Sequence, residues 1–137
     1  MTRKILCPTD GTDHSNLAVA HAAELAHKFG ADLAVCVVNV AHGGARGPLI
    51  HHWTHDEVSA LLAAAVALAA SHGKADATGV DFISREAATG IVHYAESNGY
   101  DHIVVGTGDK RGISRLMLGS VAADVVARAH CTVTVAR

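Results

Sequence analysis

Long uninterrupted apolar runs are missing from this chain of 137 residues. Without one, no segment is expected to span a bilayer or serve as a signal, and Met1-Thr2-Arg3-Lys4 leads directly into a short strand pattern. Paired cysteines are missing too. Cys7, Cys36 and Cys131 are odd in number, lie in or beside apolar strand patterns, and lack the spacing of zinc ligands. Buried free thiols in a reducing compartment are expected, which points to a cytoplasmic protein. Neither sign of charge is in surplus. Eleven Lys and Arg stand against thirteen Asp and Glu, a net charge of −2 with the eleven histidines neutral. That balance leaves no electrostatic footprint for nucleic acid or an anionic membrane. No linker, internal repeat or low-complexity stretch divides the chain, so residues 1–137 are expected to form one domain. No nucleophile, base and orienting group occur at a recognisable spacing, so no catalytic residue is assigned.

What is present is a core. Half the residues are apolar, enough to fold without disulfides or metals. Lys4-Ile5-Leu6-Cys7 is a short strand ended by the turn Pro8-Thr9-Asp10-Gly11. Caps for a first helix come from residues 12–15. Ala18, Ala22, Leu25 and Phe29 then fall on one face, Gly30 stops the helix, and His14, His21 and His27 are expected on its polar face. Residues 33–40 are nearly continuously apolar, as in a strand covered on both faces. Residues 41–52, with three glycines and Pro48, are expected to be a long loop. Thr54-His55-Asp56-Glu57 is a capping box for a second helix built on Val58, Leu61, Leu62, Ala65, Leu68 and Ala69 and ended by Gly73. A weaker strand at 80–84, a helix centred on Ile91, Val92 and Ala95, a strand at 103–105, a helix at 120–128 and an alternating strand at 132–135 follow.

A crossover helix thus lies between every pair of strands. The pattern predicts an α/β fold: an open parallel five-stranded sheet with right-handed connections and helices on both faces. The first, second and fourth strands are the most apolar and belong in the centre, while the third and fifth alternate and suit edges, giving the order 3-2-1-4-5. Strands one and four then sit side by side with connections leaving in opposite directions. A crevice opens at their carboxyl ends, lined by Pro8-Thr9-Asp10-Gly11 and Gly106-Thr107-Gly108. Gly119-Ser120 opens the helix carrying Val121 and Val125, with Ser120 a candidate N-cap. A helix N-terminus offers unpaired N–H groups and partial positive charge, and Gly119 allows a phosphate to approach the backbone closely. Lys110, Arg111 and Arg115 either screen phosphates or keep the loop in water. Asp10 is a candidate for ribose, adenine or metal, or for capping the helix near Asp13. His51, His52 and His55 either share a metal, if that turn is helical, or are solvated loop histidines.

The stretch from Gly106 to Ser120 resembles the nucleotide loop of the universal stress protein family, in which a glycine, two residues, a second glycine, nine residues and Gly-Ser or Gly-Thr cradle ATP phosphates. Gly106, the nine residues 110–118 and Gly119-Ser120 match, while Asp109 stands where the second glycine falls and Gly108 comes one position early. Lys4-Ile5-Leu6-Cys7-Pro8-Thr9-Asp10 resembles the family's first strand. Val40, after Asn39, matches the end of its second, and Leu116-Met117-Leu118-Gly119-Ser120-Val121-Ala122 is similar to its most recognisable segment. Thr132 occupies a usual proline position, and Glu86-Ala87-Ala88 lies where the family carries Gly and Pro. The resemblance covers almost the whole chain. It implies a Rossmann-like, adenine nucleotide alpha hydrolase-like fold that binds ATP, or ADP or AMP, between strands one and four, with Mg available as a partner of Asp109. Pro8, Thr9 and Asp10 would meet the adenosine and the backbone of Val40 the adenine edge. Gly106, Thr107, Gly108, Asp109, Lys110, Arg111, Gly119, Ser120 and Val121 would surround the phosphates. Thr9-Asp10-Gly11-Thr12 lacks the glycine-rich signature of adenylyl-transfer relatives, so a regulatory module with at most slow ATP hydrolysis is expected, not an enzyme. The resemblance also implies a homodimer through the C-terminal strand, with Val133 and Val135 covering one face, and an unidentified regulatory protein partner. The alternative is a nucleotide-free stress-response interaction protein of the same fold.

Overall fold

The computed structural model describes residues 1–108 and 118–137. Asp109, Lys110, Arg111, Arg115, Leu116 and Met117 lie outside the described residues. In chain order the elements are β1 (Lys4–Pro8), α1 (Asp13–Phe29), β2 (Asp32–Gly43), β3 (Leu49–His51), α2 (His55–Ser71), β4 (Thr78–Ser84), α3 (Ala87–Ser97), β5 (His102–Gly106), α4 (Ser120–Arg128) and β6 (Thr132–Ala136). The parallel strands lie in the order β4-β2-β1-β5-β6. This is the expected 3-2-1-4-5 arrangement, to which β3 adds a short antiparallel strand on the end of β2.

The most apolar strands are central because they feed two cores. Ile5, Cys7, Leu33, Val35 and Val104 face one cluster with Ala18, Ala22 and Ala26 of α1 and Ala65 and Ala69 of α2. Leu6, Ala34, Cys36, Ile103 and Val105 face the other, with Ile91 and Ala95 of α3 and Ala122 and Val125 of α4. Successive side chains of one strand point to opposite faces, so burial on both selects a nearly continuous apolar run. The three cysteines are free, Cys7 and Cys36 fully buried and Cys131 partly so. Burial pushes the thiols of Cys7 and Cys36 well above the usual range, which keeps them protonated and unreactive.

Three local expectations are corrected. The buried face of α1 is Ser15, Ala18, Val19, Ala22, Ala23 and Ala26. Alanines bring the helix close to the sheet, whereas Leu25 packs at the margin and Phe29, in the last turn, is 49 % exposed. Residues 41–52 are not a long loop, because β2 continues to Gly43 and returns as β3 in the register Ala41↔His51, His42↔Ile50 and Gly43↔Leu49. Gly43 and Gly44 make that reversal with φ of 85° and 93°, a region that side chains disfavour. Finally, Gly119 is the N-cap of α4 and Ser120 is its first helical residue.

Candidate functional site

The carboxyl ends of β1, β2 and β5 and the start of α4 enclose a cleft of about 570 Å³. Its first wall is the turn after β1. Thr9 is buried, donates its N–H to the Cys36 carbonyl at 2.8 Å, and places its hydroxyl 3.2 Å from that of Ser15. Asp10 then turns back on the chain. Its Oδ1 accepts the Thr12 N–H at 3.1 Å and the Thr12 hydroxyl at 2.6 Å, while Thr12 caps α1 by accepting the Ser15 N–H. Partial burial raises the Asp10 pKa, but the hydrogen bonds from Thr12 and Ser15 outweigh it and hold the carboxyl below its usual value. It is therefore an anion at neutral pH.

The second wall is backbone. Gly119 donates its N–H to the Thr107 carbonyl at 2.6 Å, joining the end of β5 to the start of α4. A Cβ at Gly119 would stand 2.8 Å from that carbonyl oxygen, and one at Gly106 only 2.5 Å from the His14 carbonyl. Only glycine permits both approaches. Among the described residues no side chain caps α4, whose first residues Ser120, Val121 and Ala122 line the cleft, so the helix N-terminus presents its N–H groups there.

The third wall is apolar and aromatic: Val38, Val40, Ala87 and Ile91 with His42, His52 and Trp53 of the β2–β3 hairpin and its exit. The cleft therefore has donors for an anion at one end, a carboxylate in the middle and an unpolar wall at the other end. That gradation suits a molecule with a charged group, a polyol and a flat ring.

Of the residues singled out in the sequence, Pro8, Thr9, Asp10, Val40, Gly106, Gly108, Gly119, Ser120 and Val121 all line the cleft. Thr107 frames it instead, through its carbonyl and through a hydroxyl 3.3 Å from Nδ1 of His14. Asp109, Lys110 and Arg111 lie outside the described residues. Val40 is more engaged than expected, since its carbonyl already accepts the His52 N–H at 2.9 Å. His14 and His52, expected in solvent, line the cleft. His14 had a signal in its position one turn after Pro8-Thr9-Asp10; His42, His52 and Trp53 had none, because a three-residue antiparallel strand brings them there. His51 ends β3 and His55 opens α2, so they do not share a helical turn. Among the described residues no group of three or more His, Cys, Asp or Glu can hold a metal ion.

Known proteins share this frame. A family model described as the universal stress protein family matches residues 1–137. A universal stress protein of Methanocaldococcus jannaschii is 36 % identical over 143 residues, spanning 98 % of this chain and 82 % of the relative. A universal stress protein solved in complex with cAMP superposes with a TM-score of 0.77 at 24 % identity, covering 99 % of this chain and 97 % of that one. One from Archaeoglobus fulgidus in complex with dAMP gives 0.69 at 22 % identity, covering 100 % and 98 %. With a family model matching the whole chain and a relative 36 % identical over 98 % of it, the chain belongs to the universal stress protein family.

Proposed function

We propose that this protein is a regulatory module that binds an adenine nucleotide, ATP or the related ADP or AMP, in the cleft between β1 and β5. The observation that carries the reading is the cradle formed by Gly106, Gly119 and the uncapped start of α4, where the closest backbone approaches exclude any side chain. An anion there meets donors already oriented and covers no protein group on arrival. Pro8, Thr9 and Asp10 contact the sugar, and Val38, Val40 and Ile91 take the base. Gly106, Gly108, Gly119, Ser120 and Val121 hold phosphate, with Lys110 and Arg111 adding charge and Mg offsetting Asp109. Two structural neighbours carry cAMP and dAMP in their complexes, which supports an adenine ring as the base. No assembled nucleophile and base accompany the cradle among the described residues, so binding, with at most slow hydrolysis, is the proposed activity. Mass spectrometry of ligand released from freshly purified protein, followed by calorimetry with ATP, ADP and AMP on the emptied protein, tests this. One adenine nucleotide per chain is expected. An empty protein that binds none of the three leaves the alternative, a nucleotide-free interaction protein, which the acidic residue Asp109 in place of the motif's second glycine favours.

Assembly is part of the proposal. β6 pairs only with β5 among the described residues, so its other edge presents backbone donors and acceptors. A second copy pairing there antiparallel makes a homodimer in the cytoplasm. Light scattering at tens of micromolar is expected to give twice the 14.1 kDa chain mass; a monomer with and without nucleotide rejects the arrangement.

A further inference from the structure

We infer that Trp53 is a stacking platform for the nucleobase and that the base is held here mainly by its face instead of by its edge. This rests on the nucleotide reading above and deepens it.

Two observations converge. The carbonyl of the cleft-lining residue Val40 already receives the His52 N–H at 2.9 Å as part of the chain reversal. An exocyclic amino group on a base would have to share that oxygen. The aromatic wall, by contrast, is built to stay in place. Asn39 clamps the main chain of Trp53 from both sides, its Oδ1 accepting the Trp53 N–H and its Nδ2 donating to the Trp53 carbonyl, each at 3.0 Å. The next residue, Thr54, starts the capping box of α2. Trp53 is thus fixed between a strand and a helix N-terminus, and the His52 ring braces it edge to face with centroids 4.6 Å apart. His52 and Trp53 line the cleft in the same apolar wall as Val38, Val40 and Ile91. A flat base seated against this wall gains stacking on a surface that Asn39 and His52 already hold in place.

Face recognition has a signature that edge recognition lacks. Stacking depends on ring area and tolerates changes at the rim of the base, whereas a bond to the Val40 carbonyl needs the 6-amino group. Trp53 is the only tryptophan, so intrinsic fluorescence reports on it alone. On the native protein AMP is expected to quench that emission and ribose 5-phosphate to leave it unchanged. Purine riboside 5′-monophosphate, an AMP without the amino group, is expected to bind within a few-fold of AMP in calorimetry. Trp53→Phe keeps most of the affinity, whereas Trp53→Leu, apolar but unable to stack, loses about tenfold, within the range seen when base-stacking aromatics are removed. Circular dichroism checks that both variants fold, and the two ligand comparisons on the native protein need no variant. Calorimetric binding of AMP without a fluorescence change, loss of binding with the amino group, or a folded Trp53→Leu protein of unaltered affinity overturns the platform and leaves the nucleotide reading standing. Absence of calorimetric binding by any nucleotide overturns both.

Discussion

Asp10 has local partners before any ligand arrives, and its dual attachment fixes what its removal does. Its carboxylate receives two hydrogen bonds from Thr12, the residue that caps α1, so Asp10→Ala removes a charged acceptor from a turn and leaves the core untouched. The variant is expected to fold with about 1 to 2 kcal/mol less stability, the usual worth of hydrogen bonds to a charged group, partly screened by solvent. It is also expected to bind adenine nucleotide about tenfold more weakly, because the carboxylate facing the cleft is gone. Urea denaturation and calorimetry read the two effects separately; unchanged affinity in a folded variant takes Asp10 out of the site. The depressed pKa sets the pH range. A carboxyl whose folded pKa is below the unfolded value contributes fully above about pH 4 and loses that contribution as pH falls through the folded value, so nothing between neutral pH and about 5 moves this term. For Asp109 the proposed effect is one of charge. A carboxylate about 6 Å from a phosphate repels it by roughly 3 kcal/mol at an effective dielectric near 20, less with solvent and with Lys110 or Arg111 beside it. Asp109→Gly is therefore expected to tighten ATP more than AMP, which lacks the distal phosphates, and to lower the magnesium requirement. An unchanged ATP-to-AMP preference in calorimetry shows that Asp109 does not face the phosphates.

At the level of elements, the start of α2 directly follows the cleft-lining residue Trp53. Thr54 accepts the Glu57 N–H while Glu57 accepts the Thr54 N–H, and Trp53 immediately precedes the pair. Thr54→Ala leaves that end of the helix without its side-chain acceptor, a loss of about 1 kcal/mol. Because Trp53 hangs between Asn39 and this cap, the variant is also expected to bind nucleotide several-fold more weakly, with faster hydrogen exchange at the Trp53 amide. A destabilised protein with unaltered affinity uncouples the cap from the aromatic wall. This capping box was legible from four adjacent residues, since a helix start is a local event. The strand order was legible for a related reason: strands buried on both faces show it in their own composition, as Ile5-Leu6-Cys7 and Ile103-Val104-Val105 do. The β2–β3 hairpin was hidden. Its returning strand has three residues, all exposed, so no apolar alternation marks it, and the glycines that make the turn also mimic an unstructured loop. His52 and Trp53 reach the cleft through pairings with Val40 and Asn39 more than ten positions away, which periodicity does not record. The cradle at Gly106 and Gly119 was legible as a motif. The reason for its glycines, contact with the His14 and Thr107 carbonyls, required the fold.

The whole molecule divides its features along the strands, with the cleft at the carboxyl ends of β1 and β5 and a separate polar knot where they begin. There Asp101 accepts the N–H groups of Arg3 and Lys4 through its carboxylate. Beside it, buried His102 lies 3.2 Å from the Thr2 hydroxyl through Nδ1 and 2.7 Å from the Thr134 hydroxyl through Nε2, tying the N-terminal segment and β6 to β5. Burial lowers the His102 pKa and the neighbouring His21 lowers it further, while the Asp101 charge opposes both without reversing the direction. The neutral ring is thus the folded form. A histidine with a folded pKa below its unfolded value binds fewer protons when folded, so its contribution is complete above the ordinary value near 6.5 and declines as pH falls from there to the folded pKa. Urea midpoints are expected to fall between about pH 7.5 and 5.5. His102→Asn is expected to be less stable at the upper pH, because Thr2 and Thr134 lose a partner, yet to show a shallower decline. The shape of the comparison matters more than either midpoint, since both proteins share the ten other histidines and only the difference in slope belongs to His102. Equal slopes in the two proteins place the pH dependence elsewhere, whereas a shallower slope in the variant identifies the knot at the amino ends of the strands as an acid-sensitive joint of the sheet, separate from the cleft at their carboxyl ends.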